Sequence, residues 1–86
     1  MTTYIPFTIE FVPVTTNLQV TPGKNCNALT FLNNGTAQVT IENLIVLQQG
    51  QSFTIEGNIG EIIAQASFNV IFGAGTMQLI LIYKRY

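Results

Sequence analysis

The sequence predicts an all-β fold, an antiparallel sandwich of about seven to eight short strands. Three observations lead there. Apolar and polar residues alternate at period 2 along most segments, while a period of 3.6 hardly appears. Gly, Pro and Asn punctuate the chain between the alternating runs at near-regular spacing. Between candidate strands there is no room for a crossover helix, which removes the parallel-sheet folds.

In the first segment Ile5, Phe7, Ile9 and Phe11 alternate with Pro6, Thr8, Glu10 and Val12. That is the pattern of a half-buried strand, with Ile5 to Phe11 expected inward and Pro6 on the outward face of an edge strand. Tyr4, Phe7 and Phe11 also fit a helical spacing, but Pro6, Pro13 and the β-branched content oppose a helix. A loop at Thr21-Pro22-Gly23-Lys24-Asn25 follows. Residues 28–32 and 36–41 then flank Asn33-Asn34-Gly35, with Ala37, Val39 and Ile41 sharing one face. Asn-Gly between two such runs predicts a β-hairpin, because both residues tolerate positive φ.

Glu42-Asn43 is a tight connection into a short apolar strand at 44–47, and Gln48-Gln49-Gly50 turns the chain into 51–55, where Phe53 and Ile55 face inward. The glycine-punctuated stretch 56–61 reads as a loop before the apolar pair Ile62 and Ile63. Residues 67–72 alternate again with Phe68, Val70 and Phe72 inward, and Gly73-Ala74-Gly75-Thr76 leads to a last strand at 77–83. The sum is one β-sandwich domain over residues 1–86, of jelly-roll or immunoglobulin-like type.

At 86 residues there is space for a single core. Charged residues make up only 8%, against about 25% in a typical soluble domain, so the surface is weakly protected against association. The net charge of −1, with Lys84-Arg85 as the sole basic cluster, provides no footprint for nucleic acid. No apolar run approaches the roughly 20 residues of a membrane-spanning helix, and no secretory signal is expected at the start. Asn34-Gly35-Thr36 matches a glycosylation sequon, which the turn explains without a sugar.

Chemistry is poorly served. The chain has no His and a single cysteine, Cys26, so zinc sites and His-dependent nucleophilic arrangements lack their parts. Cys26 reads as a small core hydrophobe rather than a reactive thiol. Glu56 and Glu61 flank one loop and read as solvated residues; neither a glycosidase pair nor a calcium site, to which Asn58 would add one oxygen, fits their surroundings. Gly57, Gly60, Gly73 and Gly75 precede no helix and form no phosphate cradle. No metal, no cofactor and no enzymatic activity are expected.

The last strand carries the informative anomaly. Met77, Leu79, Leu81 and Tyr83 line one face, yet Gln78, Ile80 and Ile82 on the other are also largely aliphatic, and Ile71 lies on the outward side of the preceding strand. Either a loop or the first strand covers this second face, or another subunit does. The scarcity of charge favours a subunit contact built on Ile71, Ile80 and Ile82, and hence a homo-oligomer, a trimer or a dimer.

Asn33-Asn34-Gly35-Thr36-Ala37, Val39-Thr40-Ile41 and Gly50-Gln51-Ser52-Phe53-Thr54-Ile55 resemble the strand-and-turn phrasing of immunoglobulin-like sandwich modules. Gly57-Asn58-Ile59-Gly60-Glu61-Ile62, the strand from Phe68 to Phe72 and the closing Leu79-Ile80-Leu81-Ile82-Tyr83-Lys84-Arg85-Tyr86 are similar to small virion structural proteins of tailed bacteriophages, particularly of the crAss-like type. The resemblance spans roughly residues 27–86 and transfers no catalytic residue. It implies a freestanding virion component, made in the bacterial host cytoplasm, that docks on capsid or tail proteins as a decoration, auxiliary, tail or fibre subunit. The start Met and the lack of a signal agree with that expectation. The alternative is a glycan- or host-surface-binding module using Tyr4 and Tyr86, which the absence of Trp disfavours.

Overall fold

Eight strands and no helix make up the described part of the chain, residues 6–86 of the computed structural model. They are β1 (Thr8–Val14), β2 (Leu18–Val20), β3 (Cys26–Asn33), β4 (Val39–Ile41), β5 (Ile45–Leu47), β6 (Ser52–Glu56), β7 (Phe68–Phe72) and β8 (Leu79–Arg85). Two four-stranded antiparallel sheets, ordered β1-β8-β3-β6 and β2-β7-β4-β5, pack face to face.

The strand order follows from folding the chain back on itself once and rolling the product. β1 pairs with β8, β2 with β7, β3 with β6 and β4 with β5, all antiparallel. Winding this long ribbon brings β3 against β8 and β4 against β7, which completes both sheets. That topology is a jelly roll. It decides between the two sandwich types left open by the sequence.

The tip of the ribbon is the turn between β4 and β5. Glu42 and Asn43 there hold φ values of 54° and 56°, and the Leu44 N–H returns to the Ile41 carbonyl at 3.0 Å. Positive φ at both central residues is what a twist-matched hairpin turn requires. The strain at Glu42 is offset on both sides of the residue. Its N–H donates to the Asn69 carbonyl at 2.9 Å, and its carboxylate accepts the Asn69 N–H at 3.1 Å.

The hairpin expected at Asn34-Gly35 does not exist. β3 and β4 lie in different sheets, so the segment is a corner that carries the chain from one layer to the other. Asn33 is fully buried and organises the corner through its side chain, and Gly35 is required by space. A Cβ at Gly35 would lie 2.3 Å from the Thr76 carbonyl oxygen. β2 was not anticipated either, since three residues are too short a run to show a period.

Between the sheets sit Leu29 and Phe31 of β3, Val39 and Ile41 of β4, Phe68, Val70 and Phe72 of β7, and Leu79, Leu81 and Tyr83 of β8. Phe31 is the hub, 5.8 Å edge-on from Phe68 and 6.3 Å stacked from Phe53. The inward faces expected for 37–41, 53–55, 68–72 and 79–83 are the observed ones. Met77 instead precedes β8 and is exposed.

β1 has the opposite phase to the one expected. Val12 and Val14 face the core, in register with Leu81 and Leu79, so Phe7, Ile9 and Phe11 point out. Both parities of this strand hold large apolar groups, and a one-residue change of phase exchanges the two faces completely. The ends of the strand decide. Toward the centre of the sandwich the even set offers Val12 and Val14, whereas the odd set offers Pro13. Toward its open end the even set places Glu10 beside Arg85, where the carboxylate reaches the guanidinium at 3.4 Å.

Candidate functional site

The residue register builds an apolar surface on the outer face of the β1-β8-β3-β6 sheet. One cross-strand row runs Pro13, Ile80, Leu32 and Ser52; the next runs Phe11, Ile82, Thr30 and Thr54; the third runs Ile9, Lys84, Ala28 and Glu56. Apolar side chains thus concentrate on β1 and β8 and grade into hydroxyls across β3 and β6. Thr30 and Thr54 share a hydrogen bond of 3.0 Å along this gradient.

Ile80 and Ile82, expected at a subunit contact, lie in the middle of this surface and are half-buried by their neighbours. β1 does not cover them. It lies beside β8 in the same layer and adds Phe11, 67% exposed, Phe7, 53%, and Ile9, 46%. The first strand therefore widens the apolar face instead of closing it. The Lys84 ammonium stands 4.7 Å from the Phe7 ring centroid, a cation over the aromatic rim of the patch.

Ile71 does not join Ile80 and Ile82. It belongs to β7, so it lies on the far outer face of the molecule, in a row with Thr40 and Val46. That face is mixed, with Gln19 and Asn69 in the adjacent register. Adjacency in sequence made β7 look like the neighbour of β8; winding of the ribbon separates them. Phe7, Ile9 and Phe11 are the outward residues that sequence reasoning missed. The available signal was that Val12 and Val14 continue the even parity while Pro13 ends the odd one.

Arg85 is a structural clasp rather than part of a basic tail. Its guanidinium donates to the Pro22 carbonyl and to the Lys24 carbonyl at 3.1 Å, and lies 4.5 Å over the Tyr83 ring. This holds the 21–25 loop, where Gly23 and Asn25 take positive φ, against the end of the sandwich. Burial pushes the Tyr83 hydroxyl above its ordinary pKa, against the opposing pull of Arg85. Cys26 is fully buried, and the same desolvation raises its thiol against the same guanidinium. A neutral thiol in the core is a packing group, not a nucleophile.

Glu56 and Glu61 rim an open hollow of about 380 Å³ at the end of the sandwich, floored by Ile55, Ile63 and Phe68. Glu61 is more than a solvated loop residue. Its carboxylate accepts the Asn58 N–H at 2.5 Å, while the buried Asn27 amide donates to the Asn58 and Glu61 carbonyls at 2.9 and 2.8 Å. Among the described residues, no three His, Cys, Asp or Glu side chains converge. Tyr86 turns its hydroxyl to the same loop and accepts the Gly60 N–H at 2.7 Å. Tyr4 lies outside the described residues.

Among the described residues, fold and surface define an eight-stranded jelly roll whose β1-β8-β3-β6 sheet is apolar on its outer face along β1 and β8. Comparison with protein-family models, with curated proteins and with solved structures finds no match for the chain.

Proposed function

We propose that this chain is a non-enzymatic structural subunit that assembles through the outer face of the β1-β8-β3-β6 sheet. It self-associates there and docks on a larger protein lattice, as a decoration, auxiliary or tail subunit of a phage virion. The observation that carries the reading is the row of Phe7, Ile9 and Phe11, whose exposure leaves three large apolar groups in water on a chain of 8% charge. Each is worth roughly 1.5 to 3 kcal/mol when fully buried, a large share of what a domain of this size can spare. Exposed apolar patches rimmed by polar groups mark interaction surfaces.

The virion assignment is supported by the resemblance of residues 27–86 to small phage structural proteins and by the jelly roll itself, an architecture of viral capsid domains among other proteins. Sedimentation velocity tests the assembly. The wild type sediments as a dimer or trimer at about ten micromolar, and Phe11→Lys as a folded monomer, because an unpaired ammonium in the contact costs several kcal/mol. A wild type that is monomeric, and that fails to co-purify with phage particles, overturns the proposal.

A further inference from the structure

We propose that two copies of the chain join edge to edge through β1, in antiparallel register with Ile9 opposite Ile9 of the second copy, to make one continuous eight-stranded sheet. The inference rests on the self-association just described and specifies its geometry.

Sheet edges are where chains add to one another, and natural proteins protect them by shortness, charge or proline. The four edges here differ sharply in protection. β2 and β5 have three residues each, and β6 presents Ser52, Thr54 and Glu56 outward. β1 has seven residues and an outward row of Ile9 and Phe11, extended by Phe7. Among the described residues it is the long, apolar edge.

The register follows from the residues on that strand. A two-fold axis normal to the sheet pairs residues of equal parity, so that the outer faces of both copies merge. Centring on Glu10 places Glu10 opposite its own copy, and like charges directly across a ladder repel. The register centred on Phe11 draws Pro13, which lacks an N–H donor, into a paired segment of residues 9–13, opposite Ile9. Centring on Thr8 draws in Pro6 opposite Glu10 in the same way.

Centring on Ile9 keeps both prolines outside a paired segment of residues 7–11. Phe7 then meets Phe11 of the second copy twice over, Ile9 meets Ile9, and the Thr8 hydroxyl meets Glu10. Aromatic and β-branched pairs of this kind are the favourable cross-strand contacts. The merged outer face carries six large apolar side chains across the junction and passes continuously into Ile80 and Ile82 of each copy.

Single cysteines on this exposed strand read the register directly. Opposite residues of an antiparallel pair have Cα atoms about 4.5 to 5.5 Å apart, inside the roughly 4.4 to 6.8 Å that a disulfide spans. Under mild oxidation of the full chain, Ile9→Cys forms a covalent dimer at least about tenfold faster than Glu10→Cys or Phe11→Cys alone, because only its thiols face each other across the axis. A mixture of Phe7→Cys and Phe11→Cys gives the mixed dimer in preference to either self-pair. Buried Cys26 leaves the wild type as the uncrosslinked control.

Faster self-crosslinking at Glu10 or Phe11 overturns the Ile9 register. An oligomeric wild type in which none of these positions crosslinks overturns edge pairing and leaves face-to-face assembly standing. A monomeric wild type with no crosslink at any position overturns both.

Discussion

The side-chain amide of Asn33 donates to the Leu47 carbonyl at 2.9 Å, a hydrogen bond that crosses from the β1-β8-β3-β6 sheet to the β2-β7-β4-β5 sheet. The same amide donates to the Ala37 carbonyl at 2.8 Å, and its oxygen accepts the Gly35 N–H at 3.1 Å. The Asn33 backbone adds bonds to Gln51 and from Gly50. One fully buried polar residue thus ties the β3–β4 corner to the β5–β6 corner.

Asn33→Ala leaves the Ala37 and Leu47 carbonyls without this donor in a dry environment. The expected loss is roughly 2 to 4 kcal/mol. Urea melts of the two proteins give the difference, and a loss below about 0.5 kcal/mol would mean that water replaces the amide.

Gly35→Ala and Gly50→Ala separate two reasons for glycine. Gly50 needs its φ of +83° but has open space around the missing Cβ, whereas Gly35 needs the space itself. Gly50→Ala is expected to cost about 1 to 2 kcal/mol, from the left-handed backbone alone. Gly35→Ala costs about 3 kcal/mol or more, since the obstacle is backbone that cannot swing aside. The reverse order in thermal melts would refute the corner packing.

Glu61→Ala and Glu56→Ala, introduced separately, divide two residues that the sequence treats alike. Loss of the Glu61 acceptor releases the Asn58 N–H and costs about 1 kcal/mol. Glu56→Ala stays within about 0.5 kcal/mol of wild type, as surface changes do. Equal effects at both sites would show that the Glu61 bond does not hold the loop.

Alkaline pH destabilises the fold through two groups. The pKa values of Cys26 and Tyr83 are raised by burial, so above the unfolded-state values the unfolded chain releases protons that the folded chain retains. Stability is therefore fully present below the unfolded pKa and falls as pH rises. The Tm is expected to hold to about pH 8, then to decline through Cys26 and, from about pH 10, also through Tyr83. Cys26→Ala removes the earlier part of the decline; an unchanged profile in that variant would exclude the thiol.

Much of the sandwich is legible in the chain because most strands have one apolar parity. In 68–72 the alternation of Phe68, Val70 and Phe72 with Asn69 and Ile71 leaves a single sensible inward face, and the structure uses it. The candidate surface was legible in part. Ile80 and Ile82 stand out as aliphatics opposite an already sufficient core row, but their companions Phe7, Ile9 and Phe11 look like core residues until β1 is seen beside β8.

What the sequence determined by itself is the all-β class, the places of seven of the eight strands and the inward faces of those with one apolar parity. Period 2 is a local property, written in consecutive side chains. The tertiary structure decided the rest: which sheet each strand joins, which parity of β1 turns inward, and that Asn33-Asn34-Gly35 is a corner and not a hairpin. Those choices depend on contacts between residues far apart in the chain, such as Val14 with Leu79 and Gly35 with Thr76. Where both faces of a strand are apolar, hydrophobicity along the segment cannot choose between them, and the partner strand does.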